Sequence, residues 1–146
     1  MTMANLNTDA SVALDCVATS SKPKDWLYWL LAAIAAMTVV TGAVQIVLPA
    51  VILSPLKAQV TPTTEHFFGI VGMFMVLFGG MMLNALFGRV DQSVAVFWAA
   101  LQKLGAFGAV TLGVMHGIFS TLALVVAVTD LASGILALLY WVRIRP

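Results

Sequence analysis

Six polar side chains lie inside or beside long apolar runs of this sequence: Gln45, His66, Gln102, Lys103, His116 and Asp130. Their types allow a short menu of chemistry. Lys103 and Asp130 can form an ion pair or hand on a proton. Two imidazoles can relay protons or ligate haem, chlorophyll or a metal, and the two amides can hydrogen-bond a bound molecule. Each ion placed in an apolar surrounding costs several kcal/mol unless it is paired and hydrogen-bonded. Charges at these positions therefore require a structural or functional reason.

The composition sets the surroundings. Of 146 residues, 62% are hydrophobic and 9% are charged, whereas an ordinary soluble domain has about a quarter of its residues charged. Four membrane-spanning segments of about 20 residues each would absorb most of this apolar content. The pattern predicts an all-α, four-helix transmembrane bundle with up-down-up-down antiparallel order. The expected helices cover residues 26–48, 65–87, 93–119 and 122–142, preceded by a flexible tail over residues 1–25. The net charge of +1, with no basic run, argues against nucleic acid as a partner. The single cysteine, Cys16, excludes an intrachain disulfide and a CxxC motif. The first 21 residues lack a basic segment followed by an apolar core, so no cleavable signal peptide is expected.

The helices must present the six side chains to one another. In span one, Ala35, Thr38, Gly42, Gln45 and Pro49 recur at three- and four-residue spacing, a seam suited to close helix contact. In span two, Thr63 or Thr64 is placed to cap the helix ahead of Glu65, and His66, Met73, Gly80 and Asn84 share a face with Gly69 close by. In span three, Gly105, Ala109, Gly113 and Gly117 fall at roughly 0°, 40°, 80° and 120° on a helical wheel. Gln102 and His116 share that sector, while Val96, Leu104 and Phe107 lie opposite. Gly108, near 300° on the same wheel, breaks the pattern. The small face is thus predicted to pack, with Gly113-x-x-x-Gly117 as its motif. Span four has a heptad seam of Ala123, Ala127, Asp130, Gly134, Ala137 and Trp141.

Depth then relates the charges. At a rise of about 1.5 Å per residue, Lys103 and Asp130 come within roughly one helical turn of the same height, on helices joined by the tight Ser120-Thr121 turn. Either they pair, or Asp130 stays neutral and donates a hydrogen bond. Gln45, Glu65, His66 and His116 fall near the opposite ends of spans one to three and are expected to cluster above Asp130.

Orientation follows from counting. Alternating spans collect Lys22, Lys24, Arg89, Arg143 and Arg145 on one side and only Lys57 on the other, which makes both termini cytoplasmic. Every Trp and Tyr, namely Trp26, Tyr28, Trp29, Trp98, Tyr140 and Trp141, gathers toward the same side, at headgroup depth.

Four readings of the polar groups remain open. They fix helix register; they line a small-molecule or quinone-type pocket; they form a proton or ion path; or the histidines ligate haem, chlorophyll or a metal. No spacing or partner motif singles out a metal site, and the eight methionines read as packing filler. No nucleophile–base pair, phosphate loop or ATP motif is visible. The chain reads as a non-enzymatic accessory or ligand-binding subunit, with a proton-coupled transporter or channel and a membrane oxidoreductase component as the rivals. The lipid bilayer is the expected partner, with a larger membrane complex or a homo-oligomer as further expectations.

The Thr41-Gly42 to Pro49 exit from span one, the polar start of span two and the tight later connectors resemble the DoxX-like group of small bacterial four-helix membrane proteins. The likeness covers roughly residues 26–143; the strings Glu65-His66-Phe67-Phe68-Gly69, Trp98-Ala-Ala-Leu-Gln102-Lys103 and Asp130-Leu-Ala-Ser133-Gly134 also resemble uncharacterised bacterial membrane proteins, so no active-site residue carries over. The resemblance implies a compact bundle and, in some members, an association with oxidoreductases or quinone metabolism; a bacterial inner membrane is the expected location. The redox cysteines of related thiol-oxidising bundles are absent here.

Overall fold

The computed structural model describes residues 25–88 and 92–145. The expected tail, apart from Asp25, lies outside the described residues, as do Lys22, Lys24 and Arg89. The described residues are helical with no strand. The helices are α1 (Trp26–Val47), a short α2 (Pro49–Leu53), α3 (Pro62–Phe87), α4 (Gln92–Met115) and α5 (Ala123–Ile144). Four of them, α1, α3, α4 and α5, are long and apolar enough to cross a membrane. Large hydrophobic side chains face outward along each of the four, among them Val40, Phe74, Leu112 and Val128. This is the inverse of a water-soluble surface and suits a lipid surround, in which a helix satisfies its own backbone.

Local chemistry sets the helix ends. Asp25 caps α1 by accepting from the Tyr28 backbone N–H at 3.2 Å. The helix stops before Pro49, which lacks an N–H and opens α2. α3 starts three residues earlier than the sequence suggests, because Thr61 and Thr64 form a reciprocal capping box around Pro62. Proline at the first helical position loses no hydrogen bond and has its φ preset. Glu65 then sits in the first turn, where a negative charge complements the helix dipole.

Two helix pairs make the fold. α1 packs along α3, and α4 along α5; contacts between the two pairs are sparser. Both pairs are antiparallel. The Tyr28 hydroxyl near the start of α1 donates to the Leu86 carbonyl near the end of α3 at 2.8 Å, while further along Gly42 meets Gly72. In the other pair the Tyr140 hydroxyl bonds Gln92 Oε1 at 3.1 Å, and Leu104 lies on Gly134. The seam expected in span one is buried at Ala35, Thr38, Gly42 and Gln45. That expected in span four is buried at Ala123, Ala127, Gly134 and Ala137.

Spans two and three differ from expectation. α3 buries Gly72, Gly79, Met82, Ala85 and Leu86, leaving His66, Met73 and Asn84 outward. In α4 the tightest residues are Val96 and Ala100, both 0% exposed, and nothing would lie within 4 Å of a methyl group at Gly105 or Gly108. The small face of α4 is therefore not its packing face. The reason lies in α5, whose own small seam of Ala127, Gly134 and Ala137 accepts a larger partner, with Leu104 lying on Gly134. One small face per contact is enough for close approach.

α4 also ends at Met115, not at Phe119. Gly117 takes φ +70°, and the Ile118 N–H reaches back to the Gly113 carbonyl at 2.9 Å, a left-handed helix stop. The turn folds the Phe119 ring onto Gly113, where a Cβ would lie 2.6 Å from a ring carbon. Gly113-x-x-x-Gly117 is a helix terminus and a cradle for Phe119, not a helix-packing motif.

The shared core sits toward the Asp25 end. Leu27, Tyr28, Leu31 and Ala35 of α1, Met82 and Leu86 of α3, Val96 and Ala100 of α4, and Ala137, Tyr140 and Ile144 of α5 form one cluster. Asp25 and Arg143 close that end with an ion pair at 3.3 Å, and Arg145 lies over the Trp141 ring at 5.2 Å.

Candidate functional site

Beyond that core the two pairs separate around a cavity of about 520 Å³. Its floor is built by α4 and α5. Lys103 is one turn beyond Ala99 and Ala100, and Asp130 lies one turn before Gly134, so the same packing that seats Leu104 on Gly134 brings these two side chains together. Lys103 Nζ donates to Asp130 Oδ1 at 2.8 Å, with side chains 14% and 15% exposed. A charge-assisted bond of this length is strong only because each ion has its partner; either alone would bear the desolvation penalty.

The hydroxyls beside the pair are tied to their own helices. Thr38 donates to the Ile34 carbonyl at 2.9 Å, Thr129 to that of Val126 at 2.7 Å, and Ser133 to that of Thr129 at 2.7 Å. This local bonding satisfies each hydroxyl proton within an apolar span. Thr38, Thr129 and Ser133 all line the cavity, as does Gln102. A smaller cavity of about 30 Å³ shares Ile34, Thr38, Gln102, Lys103 and Ser133 with the larger one, and a space of this size accommodates water among polar partners.

Gln45 reaches the cavity from α1, nearer the Lys57 end. Its side chain is 7% exposed, and Oε1 has no hydrogen-bond partner. Ile52 of α2, Leu56 of the following loop, and Phe119 complete this end. The Ser120 N–H donates to the Leu56 carbonyl at 2.8 Å, so the α2 loop and the α4–α5 turn close over the cavity together. The walls between are apolar, with Met37, Phe68, Val71 and Val110 among them.

The six side chains picked from sequence thus divide. Gln45, Gln102, Lys103 and Asp130 line one cavity. His66 and His116 do not. His66 is exposed at the start of α3, beside Phe67, and His116 is exposed in the turn after α4. His116 keeps its place on the helical wheel, since its N–H still bonds the Leu112 carbonyl at 3.0 Å; it lies in the sector of Gly105 and Ala109, which faces outward, while the cavity takes the neighbouring sector of Gln102, Ala106 and Val110. The expected cluster of histidines above Asp130 is therefore corrected to a cavity without them. Among the described residues no group of three or more His, Cys, Asp or Glu is placed to hold a metal ion.

Thr38, Thr129 and Ser133 were absent from the sequence-derived site. Thr38 belonged to the span-one seam and Ser133 adjoined Asp130 by one helical turn, so a signal for both was present; Thr129 carried none. A second groove, about 540 Å³, runs outside between α3 and α4, past Gly80, Asn84, Ala95 and Trp98. Comparison with family models, with curated proteins and with solved structures finds no match to this chain.

Proposed function

We propose that this multi-pass membrane protein is a ligand-binding or accessory subunit, not a catalyst, which holds a lipid-soluble small molecule in the cleft between its two helix pairs. The observation that carries the reading is the Lys103–Asp130 pair in the wall of a cavity of about 520 Å³, within the volume range of small-molecule sites and walled in the same manner, apolar with a few convergent polar groups. A pair needed only for helix register could pack against side chains on every side; this one faces space.

The same proposal takes the Asp25 end as cytoplasmic and the membrane as a bacterial inner membrane. Support comes from the basic residues of that side and from Trp26, Trp29 and Trp98, which face outward there, where headgroup depth suits them. The DoxX-like resemblance, and with it an association with a membrane oxidoreductase, belongs to this reading too.

The test is mass spectrometry of small molecules that co-purify in mild detergent, comparing the native chain with Lys103→Met/Asp130→Leu. The expected result is a lipid-soluble compound near one per chain in the native protein and at least about tenfold less in the variant. Equal content in both overturns the reading. A proton-coupled transporter is the second reading, favoured by an aspartate that faces a cavity while paired to a lysine. It requires Asp130→Asn to abolish flux in proteoliposomes without loss of folding, and unchanged flux removes it.

A further inference from the structure

Resting on the cleft reading above, we infer the class of molecule the cleft accepts: an uncharged amphiphile that carries hydrogen-bond donors, a hydroxyl or N–H head on an apolar body. Three features of the wall lead to it.

A hydroxyl has one proton to give, and Thr38, Thr129 and Ser133 each give theirs to a carbonyl of their own helix. What they offer the cavity is lone pairs. Asp130 accepts from Lys103 through Oδ1 and has Oδ2 left to accept. At the other end, Gln45 Oε1 is buried with no donor, a group whose desolvation goes uncompensated until something donates to it. Acceptors awaiting protons therefore stand at both ends, separated by roughly 10 Å, the seven residues from Thr38 to Gln45 along α1 at 1.5 Å per residue.

The charges among the lining residues cancel, since Lys103 and Asp130 are the ionised pair there. An anionic ligand would meet Asp130 and the hydroxyl lone pairs, and a cationic one would meet Lys103. Neither has a counter-ion that is not already engaged. A molecule with acceptors alone would reach Lys103 and the amide N–H groups yet leave Gln45 Oε1 unmet. An alcohol, phenol or amide N–H meets both demands, and its apolar body fits the wall of Met37, Phe68, Val71 and Val110.

The experiment uses the full chain in lipid nanodiscs and two probes of one shape, 4-nonylphenol and its methyl ether 4-nonylanisole, competed at equal concentration and counted by native mass spectrometry. The phenol is expected to outcompete the ether by at least about tenfold, because a site built around a hydrogen bond rejects the analogue that lacks it. Gln45→Met and Ser133→Ala, which remove acceptors, are expected to shrink that preference. Equal binding of both probes, or preference for the ether, overturns the donor rule and leaves the cleft reading standing. Binding of neither overturns both.

Discussion

Gly42 of α1 and Gly72 of α3 face each other so closely that a methyl group on either would sit 2.6 Å from the other's carbonyl oxygen. No side chain can move aside there, because the obstacle is backbone. This contact sets the distance between the two helices of the first pair, and it is the kind of approach that holds helices together where burial from lipid contributes little.

Gly42→Ala and Gly72→Ala should therefore each destabilise the fold by about 1–3 kcal/mol or more. Gly105→Ala and Gly108→Ala provide the control, since open space surrounds both. These should be neutral or gain up to about 1 kcal/mol from helix propensity. Reversible unfolding in mixed micelles measures all four, and a loss at Gly105 equal to that at Gly42 would contradict the packing described.

The ion pair makes a second prediction through its asymmetry. Lys103→Met or Asp130→Leu alone strands a charge on the cavity wall and should cost about 3–5 kcal/mol. The double substitution removes both ions and should cost markedly less than either. A double-mutant cycle with coupling below about 0.5 kcal/mol would mean that the two groups do not depend on each other.

The turn that closes the cavity gives a third. Gly117 at φ +70° should tolerate alanine poorly, at a cost of about 1–2 kcal/mol, while Gly117→Asn should recover part of the loss because asparagine visits that conformation more readily. Gly113→Ala should displace the Phe119 ring; loss of a ring-to-Gly113 nuclear Overhauser contact would report it. Equal melting points for the alanine and asparagine variants at position 117 would contradict the assigned backbone.

How far the sequence carried the fold depends on which signal was read. Apolar length announced the four spans, and spacing announced two of the packing seams, because Ala35, Gly42, Ala127 and Gly134 are small and recur with the helical period. The same logic misplaced span three. Gly105 and Ala109 are equally small, yet a helix contact needs a small face on one side only, and spacing does not tell which helix provides it. The Lys103–Asp130 pair was legible from depth and a tight turn. The histidines were not, since spacing does not tell which sector of a helix faces its neighbours: His116 shares the outward sector of Gly105 and Ala109, and His66 lies on the outward side of the first turns of α3. The cavity itself had no signature: it arises from how two pairs diverge, a property of neither pair alone.

That divergence has a mechanical corollary. The clasp of Gly42 on Gly72 lies wholly inside one pair and the bond between Lys103 and Asp130 wholly inside the other, while the shared core and the Asp25–Arg143 bridge sit at one end. The molecule is built like a spring clip. Tilting its two arms about the fastened end would widen or narrow the gap between them while every strong bond within each arm stayed intact. The Ser120–Leu56 hydrogen bond at the far end is the latch that opening must release.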